Sequence, residues 1–104
     1  MRKMAEAIFH PQPVPPGVTD AFALMYSIYK TRRDSLPPIP DEELRRVSCP
    51  VLLIGGVQDA LLDMEATEAR LRRVLPHLTS EIDAEAGHAL IGRASSVCHF
   101  FAGE

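Results

Sequence analysis

The first half of the chain alternates short apolar segments with proline-rich connectors. Residues 2–9 predict a short helix that would be marginal in isolation. Residues 10–17 follow with four prolines, a composition that favours a stiff, extended connector. Apolar residues at helical spacing then predict a longer helix, which has Thr19 or Asp20 as its N-cap and ends at about Arg33.

The apolar face of this longer helix is rich in aromatic and methionine side chains. Such a face indicates core or interface packing more often than a cofactor pocket. A second proline-rich break, residues 34–40, is the best internal boundary, and it divides the chain into segments 1–40 and 41–104. The apolar face consists of Phe22, Met25, Tyr26 and Tyr29, widened by Ala21, Leu24 and Ile28.

The second segment has the pattern of a parallel α/β sheet. Residues 51–54 are all apolar and lie between Pro50 and a pair of glycines, which is typical of a strand buried on both faces. Residues 80–84 alternate, with acidic side chains expected to point outward, as in an edge strand. The helices expected around these strands are a single turn that begins at Asp41, a helix over 64–75 capped by Asp63 and ended by Pro76, and a final helix over 94–102.

Composition and charge narrow the possible partners. The chain has 104 residues, enough for one small domain, and its net charge of −3 gives no electrostatic reason to expect nucleic acid or an anionic membrane. No apolar run is long enough to span a bilayer, and residues 4–9 are too short and too polar for a secretory signal. We therefore expect a cytoplasmic protein in which Cys49 and Cys98 are reduced and buried.

Two polar residues follow the two predicted strands. Asp59 comes after the strand at 51–54 and its glycine pair, and His88 comes after the second strand, in a Gly-His turn. In open α/β sheets, the loops after the carboxyl ends of strands hold ligands and catalytic groups. Because the strands are expected to be parallel neighbours, the two side chains should lie at the same edge of the sheet. A carboxylate there could hold a histidine in one tautomer and stabilise its protonated form.

These segments resemble the C-terminal part of the α/β-hydrolase fold. The resemblance implies a fragment of a three-layer α/β fold, with two parallel strands flanked by helices. It also implies that Asp59 is the triad acid, that His88 is the triad histidine and that residues 1–40 are the end of a cap. The matching stretches are Leu44 to Gly56 with Asp59, Leu71 to Pro76, Ala86 to Leu90, and the helix with Phe100 and Phe101.

The chain departs from that fold in its nucleophile. The fold carries its nucleophile on a G-x-S-x-G turn upstream of the acid, and this chain has neither that motif nor an HGGG-type oxyanion segment. Neither cysteine lies in such a turn. No group of residues has metal-ligand spacing, and no cofactor is expected. None of the serines is flanked by glycines in a strand-to-helix turn; they are Ser27, Ser35, Ser48, Ser80, Ser95 and Ser96.

The strand at 51–54 also lacks a neighbour. Its pattern calls for strands on both sides, and only residues 80–84 offer one. We therefore expect a homo-oligomer, or a second chain that completes the sheet beside residues 51–54.

Two functions remain open. The chain is the acid–histidine part of a hydrolase acting on an ester, amide or similar bond, inactive alone, or it is a non-catalytic, hydrolase-derived module that self-associates or binds a partner. At the residue level, Asp59 could instead be a loop or cap residue, and His88 could serve a local hydrogen bond.

Overall fold

The computed structural model describes residues 1–32 and 34–103. The described residues combine helices with a small parallel sheet, so the chain is a mixed α/β protein. None of the helices in this described part is long and apolar enough to cross a membrane. The elements in chain order are α1 (Arg2–Phe9), α2 (Val18–Ile28), α3 (Asp41–Leu44), β1 (Val51–Gly56), α4 (Met64–Val74), β2 (Leu78–Asp83) and α5 (Ala94–Phe101).

The sheet consists of β1 and β2, which pair in parallel from Val51 opposite Leu78 to Gly56 opposite Asp83. Parallel neighbours need a crossover connection, and α4 provides it. Because the strands run in the same direction, the loops that follow them, 57–63 and 84–93, leave the sheet at one edge.

Helix α4 packs on one face of this sheet. Asp63 caps it, as predicted, because its Oδ1 accepts a hydrogen bond from the Ala66 amide at 3.0 Å. Met64 and Val74 are buried, and a Cβ at Gly55 would collide with the Met64 side chain. The first glycine of the pair therefore leaves room for the Met64 side chain against β1.

Helix α2 differs from the prediction at both ends. Its N-cap is Gly17, whose φ is +85°, and not Thr19 or Asp20, so the helix begins at Val18. It ends at Ile28, because Tyr29 is extended, and β-branched and aromatic residues are poor helix formers. Arg33 itself lies outside the described residues.

The predicted burial of α2 is also not met within this chain. None of its residues is buried, and Leu24 and Ile28 are 63% and 68% exposed. The reason is topological: α2 contacts α1, and the part of the chain that the structure describes places no apolar surface over its remaining face.

Three smaller expectations need correction. Cys49 and Cys98 are free, as predicted, but they are exposed and not buried, because no described element covers the residues before β1 or the outer side of α5. Strand β2 ends at Asp83, and Ala84 already belongs to a turn. Asp83 is only half-exposed, because Arg93 folds back onto it at 2.7 Å.

The core is small for a chain of this length. Its total accessible surface is 7963 Å², whereas a compact monomer of 11.5 kDa exposes about 5,800 Å². The radius of gyration is 16.2 Å, against about 13 Å for a compact domain of this size. The buried apolar residues in the described ranges are Ala5, Met64, Val74 and Leu75.

Candidate functional site

Asp59 is held in place by the loop that follows β1. Its Oδ1 accepts hydrogen bonds from the backbone N–H groups of Leu61 and Leu62, at 2.8 and 2.9 Å. Only 4% of its side chain is exposed. The loop therefore orients one carboxylate oxygen by two amides and leaves the other, Oδ2, for another partner.

That partner is His88. Its Nδ1 lies 2.9 Å from Asp59 Oδ2, and 36% of its side chain is exposed. An ionised carboxylate only accepts hydrogen bonds, so the proton of this contact belongs to Nδ1, and in a neutral imidazole the lone pair then lies on Nε2. The structure thus brings together the two residues that the sequence singled out, at the shared carboxyl edge of β1 and β2.

Opposing effects act on the carboxylate. Burial raises the pKa of Asp59, but the hydrogen bonds from His88 and from the Leu61 and Leu62 amides outweigh it, so the pKa lies below its ordinary value of 3.8. Asp59 is therefore ionised at neutral pH. A buried anion in this position favours the Nδ1–H tautomer of His88 and would stabilise an imidazolium if Nε2 took up a proton.

The two loops meet through backbone contacts. The backbone N–H of Gln58 donates to the carbonyl oxygen of Ala86 at 2.9 Å. A Cβ at Gly56 would collide with the Ala86 carbonyl and would lie 2.7 Å from the carbonyl oxygen of Gly87. The second glycine of the pair thus allows the loop 84–93, which carries His88 and is called the histidine loop below, to lie directly against the end of β1. The sequence alone did not reveal this role.

Asp83 and Arg93 brace the two ends of the same loop. Their ion pair is 2.7 Å long, and Asp83 Oδ1 also accepts from the Glu85 amide at 2.9 Å. The Arg93 hydrogen bond and the Glu85 amide lower the pKa of Asp83. Sequence reasoning missed this pair, because opposite charges ten positions apart in a loop carry no periodic signal.

The pair can act as a base, but no described nucleophile is bonded to it. Among residues 1–32 and 34–103, no serine or cysteine is hydrogen-bonded to His88; Ser27 binds the Leu24 carbonyl, and Ser80 binds Glu68. No group of three or more metal-ligating side chains occurs in the described part of the chain. No protein-family model, curated protein or solved structure matches this chain.

Proposed function

We propose that this chain is the acid–histidine segment of a hydrolase of the α/β-hydrolase type, acting on an ester, amide or similar bond. One observation carries the proposal: the 2.9 Å contact between Asp59 Oδ2 and His88 Nδ1, formed at the ends of adjacent parallel strands. The acid precedes the histidine along the chain, which is the order in that fold. Residues 1–40 would be the end of its cap.

In this proposal, His88 is the general base. Its Nε2 takes the proton from a serine hydroxyl as the serine oxygen attacks the carbonyl carbon, and later gives that proton to the leaving group. Asp59 keeps Nδ1 protonated and stabilises the imidazolium through Oδ2. The chain supplies these two groups, and the serine comes from another stretch of polypeptide, either in the same gene product or in a partner.

The open side of β1 is where such a stretch would pair. The backbone N–H of Val51, and that of Val57 just beyond the strand, donate to the carbonyl oxygens of His77 and Asp83. The backbone N–H and C=O groups of the odd-numbered residues of β1 therefore point toward β2. In a parallel strand, the backbone groups of the residues between them point away from that neighbour. The N–H and C=O groups of Leu52 and Ile54 are therefore free to bind a further strand, and a parallel strand there would end at the edge that holds Asp59 and His88.

A non-catalytic binding module is the second candidate. Two observations favour it: no described serine or cysteine is bonded to His88, and one face of α2 is exposed. In that case the Asp59–His88 contact would stabilise the two loops and perform no chemistry.

The experiment compares the chain alone with the chain joined to its upstream coding sequence. The upstream frame is read for a strand, a G-x-S-x-G turn and a helix, and that segment is produced fused to or together with this chain. We expect no His88-dependent hydrolysis of p-nitrophenyl esters by the chain alone. With the segment, His88→Ala should lower kcat/KM by about 10⁶-fold, and Asp59→Asn should lower it by about 10⁴-fold.

Asp63→Asn is the matched control, because asparagine preserves the helix cap and the substitution lies four residues from Asp59. It should leave kcat/KM unchanged. Hydrolysis that survives His88→Ala would contradict the proposal. The absence of both a nucleophile segment and any hydrolysis would favour the binding module.

A further inference from the structure

The loop that carries His88 is held from a second side, by the N-terminal segment. The Ala89 amide donates to the carbonyl oxygen of Ile8 at 2.9 Å. Ile8 lies in the last turn of α1, where carbonyls have no partner within the helix. The histidine loop thus provides the donor that this helix end needs, and α1 in turn fixes the residue immediately after His88.

The residue immediately before His88 is fixed as well. Gly87 lies against the backbone of His10, and a Cβ at Gly87 would collide with the His10 carbonyl oxygen and lie 2.8 Å from its carbonyl carbon. The obstacle is backbone and not the end of a flexible side chain. Any side chain at position 87 would therefore push the histidine loop away from the end of α1.

Together these contacts place residues 86–89 between two surfaces. On one side, the backbone N–H of Gln58, just after β1, binds the carbonyl oxygen of Ala86. On the other, the end of α1 binds Ala89 and lies against Gly87. His88 is the one residue of this stretch whose side chain bonds Asp59.

We propose that the segment 8–10 is a positioning element for His88, with Gly87 as the positioning residue through which it acts. It sets the distance between His88 Nδ1 and Asp59 Oδ2 by clamping the backbone on both sides of the histidine. This inference rests on the proposed function for its catalytic meaning, but the clamp is a property of the folded chain. Its test therefore does not depend on hydrolysis.

The test reads the tautomer of His88 in the full chain by ¹H–¹⁵N NMR correlation of the imidazole nitrogens. In the wild-type chain we expect the Nδ1–H tautomer. Gly87→Ala should cause loss of that tautomer preference, because the displaced loop no longer holds Nδ1 against Asp59. Gly92→Ala is the control: it adds the same methyl group to the same loop, into open space but at a strained φ of +79°.

If Gly92→Ala causes the same loss of tautomer preference at His88, the cause is general destabilisation of the loop, and the proposal is overturned. So would an unchanged tautomer in a folded Gly87→Ala chain. If Gly87→Ala does not fold, the wild-type chain decides. The clamp requires slow hydrogen exchange of the Ala89 amide and a nuclear Overhauser effect between Gly87 and His10 or Pro11, and the absence of both would refute it.

The result also separates the two proposals. A tautomer that responds to Gly87→Ala, in a protein whose hydrolysis proves independent of His88, would preserve the clamp and remove the catalytic role. Hydrolysis that depends on His88 but not on Gly87 would preserve the catalytic role and remove the clamp.

Discussion

Asp59 is the residue on which the candidate site depends most. It accepts three hydrogen bonds, two from loop amides and one from His88, while almost its whole side chain is buried. A buried carboxylate would be costly without such partners. The same bonds that lower its pKa therefore also fold the loop, so the residue has a measurable structural role that is independent of any catalytic one.

This role predicts a pH-dependent contribution of Asp59 to stability. Its pKa in the folded chain is lower than the ordinary value of 3.8, so the unfolded chain binds the proton more readily. The contribution is therefore fully present above pH 3.8 and is lost as the pH falls through the folded-state pKa. Asp59→Asn should lower the urea midpoint of unfolding at pH 7. The gap between the midpoints of the variant and the wild type should be smaller at pH 3.

The control for this prediction is Gln58→Ala, a neutral substitution in the same loop. Its difference from wild type should not follow the titration, because it removes no ionisable group. Both variants are measured at one protein concentration, since association would shift the apparent stability. An Asp59→Asn difference that stays constant from pH 7 to pH 3 would contradict the assigned hydrogen bonds.

At the same scale, the sequence identified the pair but not its supports. Asp59 and His88 were predictable because each follows a strand with a clear pattern, and parallel strands bring their ends together. The contact of Gly87 with His10 was not, because it joins positions far apart in the chain across a proline-rich connector that has no periodicity. A glycine directly before the histidine was the one available signal.

Among the elements, α4 was the most predictable, since a capping residue, an amphipathic face and a terminal proline agree. Its cap gives a direct prediction: Asp63→Ala should lower the free energy of unfolding by about 1 kcal/mol, because the Ala66 amide loses its acceptor. Asp63→Asn should stay close to wild type in the same urea titration. Equal losses in both variants would show that charge, and not the cap, is what matters.

Other elements depended on contacts that no local pattern encodes. The short helix α3 is tied to α4 because Arg70 binds Asp41 Oδ1 through Nε and Nη2, at 3.0 and 2.8 Å, and Arg73 binds the other oxygen. Both Arg70 bonds end on one carboxylate oxygen and Arg73 takes the other, so charge-assisted hydrogen bonds from two arginines hold α3 against α4. The end of α2 was misplaced because its apolar spacing continues past Ile28, whereas the backbone at Tyr29 is extended.

Across the whole molecule, the surfaces left uncovered are apolar or strand-like. The chain exposes about 2,000 Å² more than a compact monomer of its mass, from 7963 Å² measured against the expected value. A standard protein–protein interface buries about 800 Å² on each partner. The excess is therefore large enough for an extensive interface, and it includes the outer face of α2 and the open side of β1.

We therefore expect the purified chain to associate, and the open side of β1 to contribute. Light scattering after size exclusion at low micromolar concentration should give at least twice the 11.5 kDa of one chain. Leu52→Pro should shift the mass toward that of one chain, because proline removes an amide that faces the open side while leaving the bonds to β2 in place. Leu52→Ala is the control, since it shortens the same side chain but keeps the amide. A cooperative monomer in the wild type would refute the interface, and equal dissociation of both variants would assign it to side-chain packing and not to strand pairing.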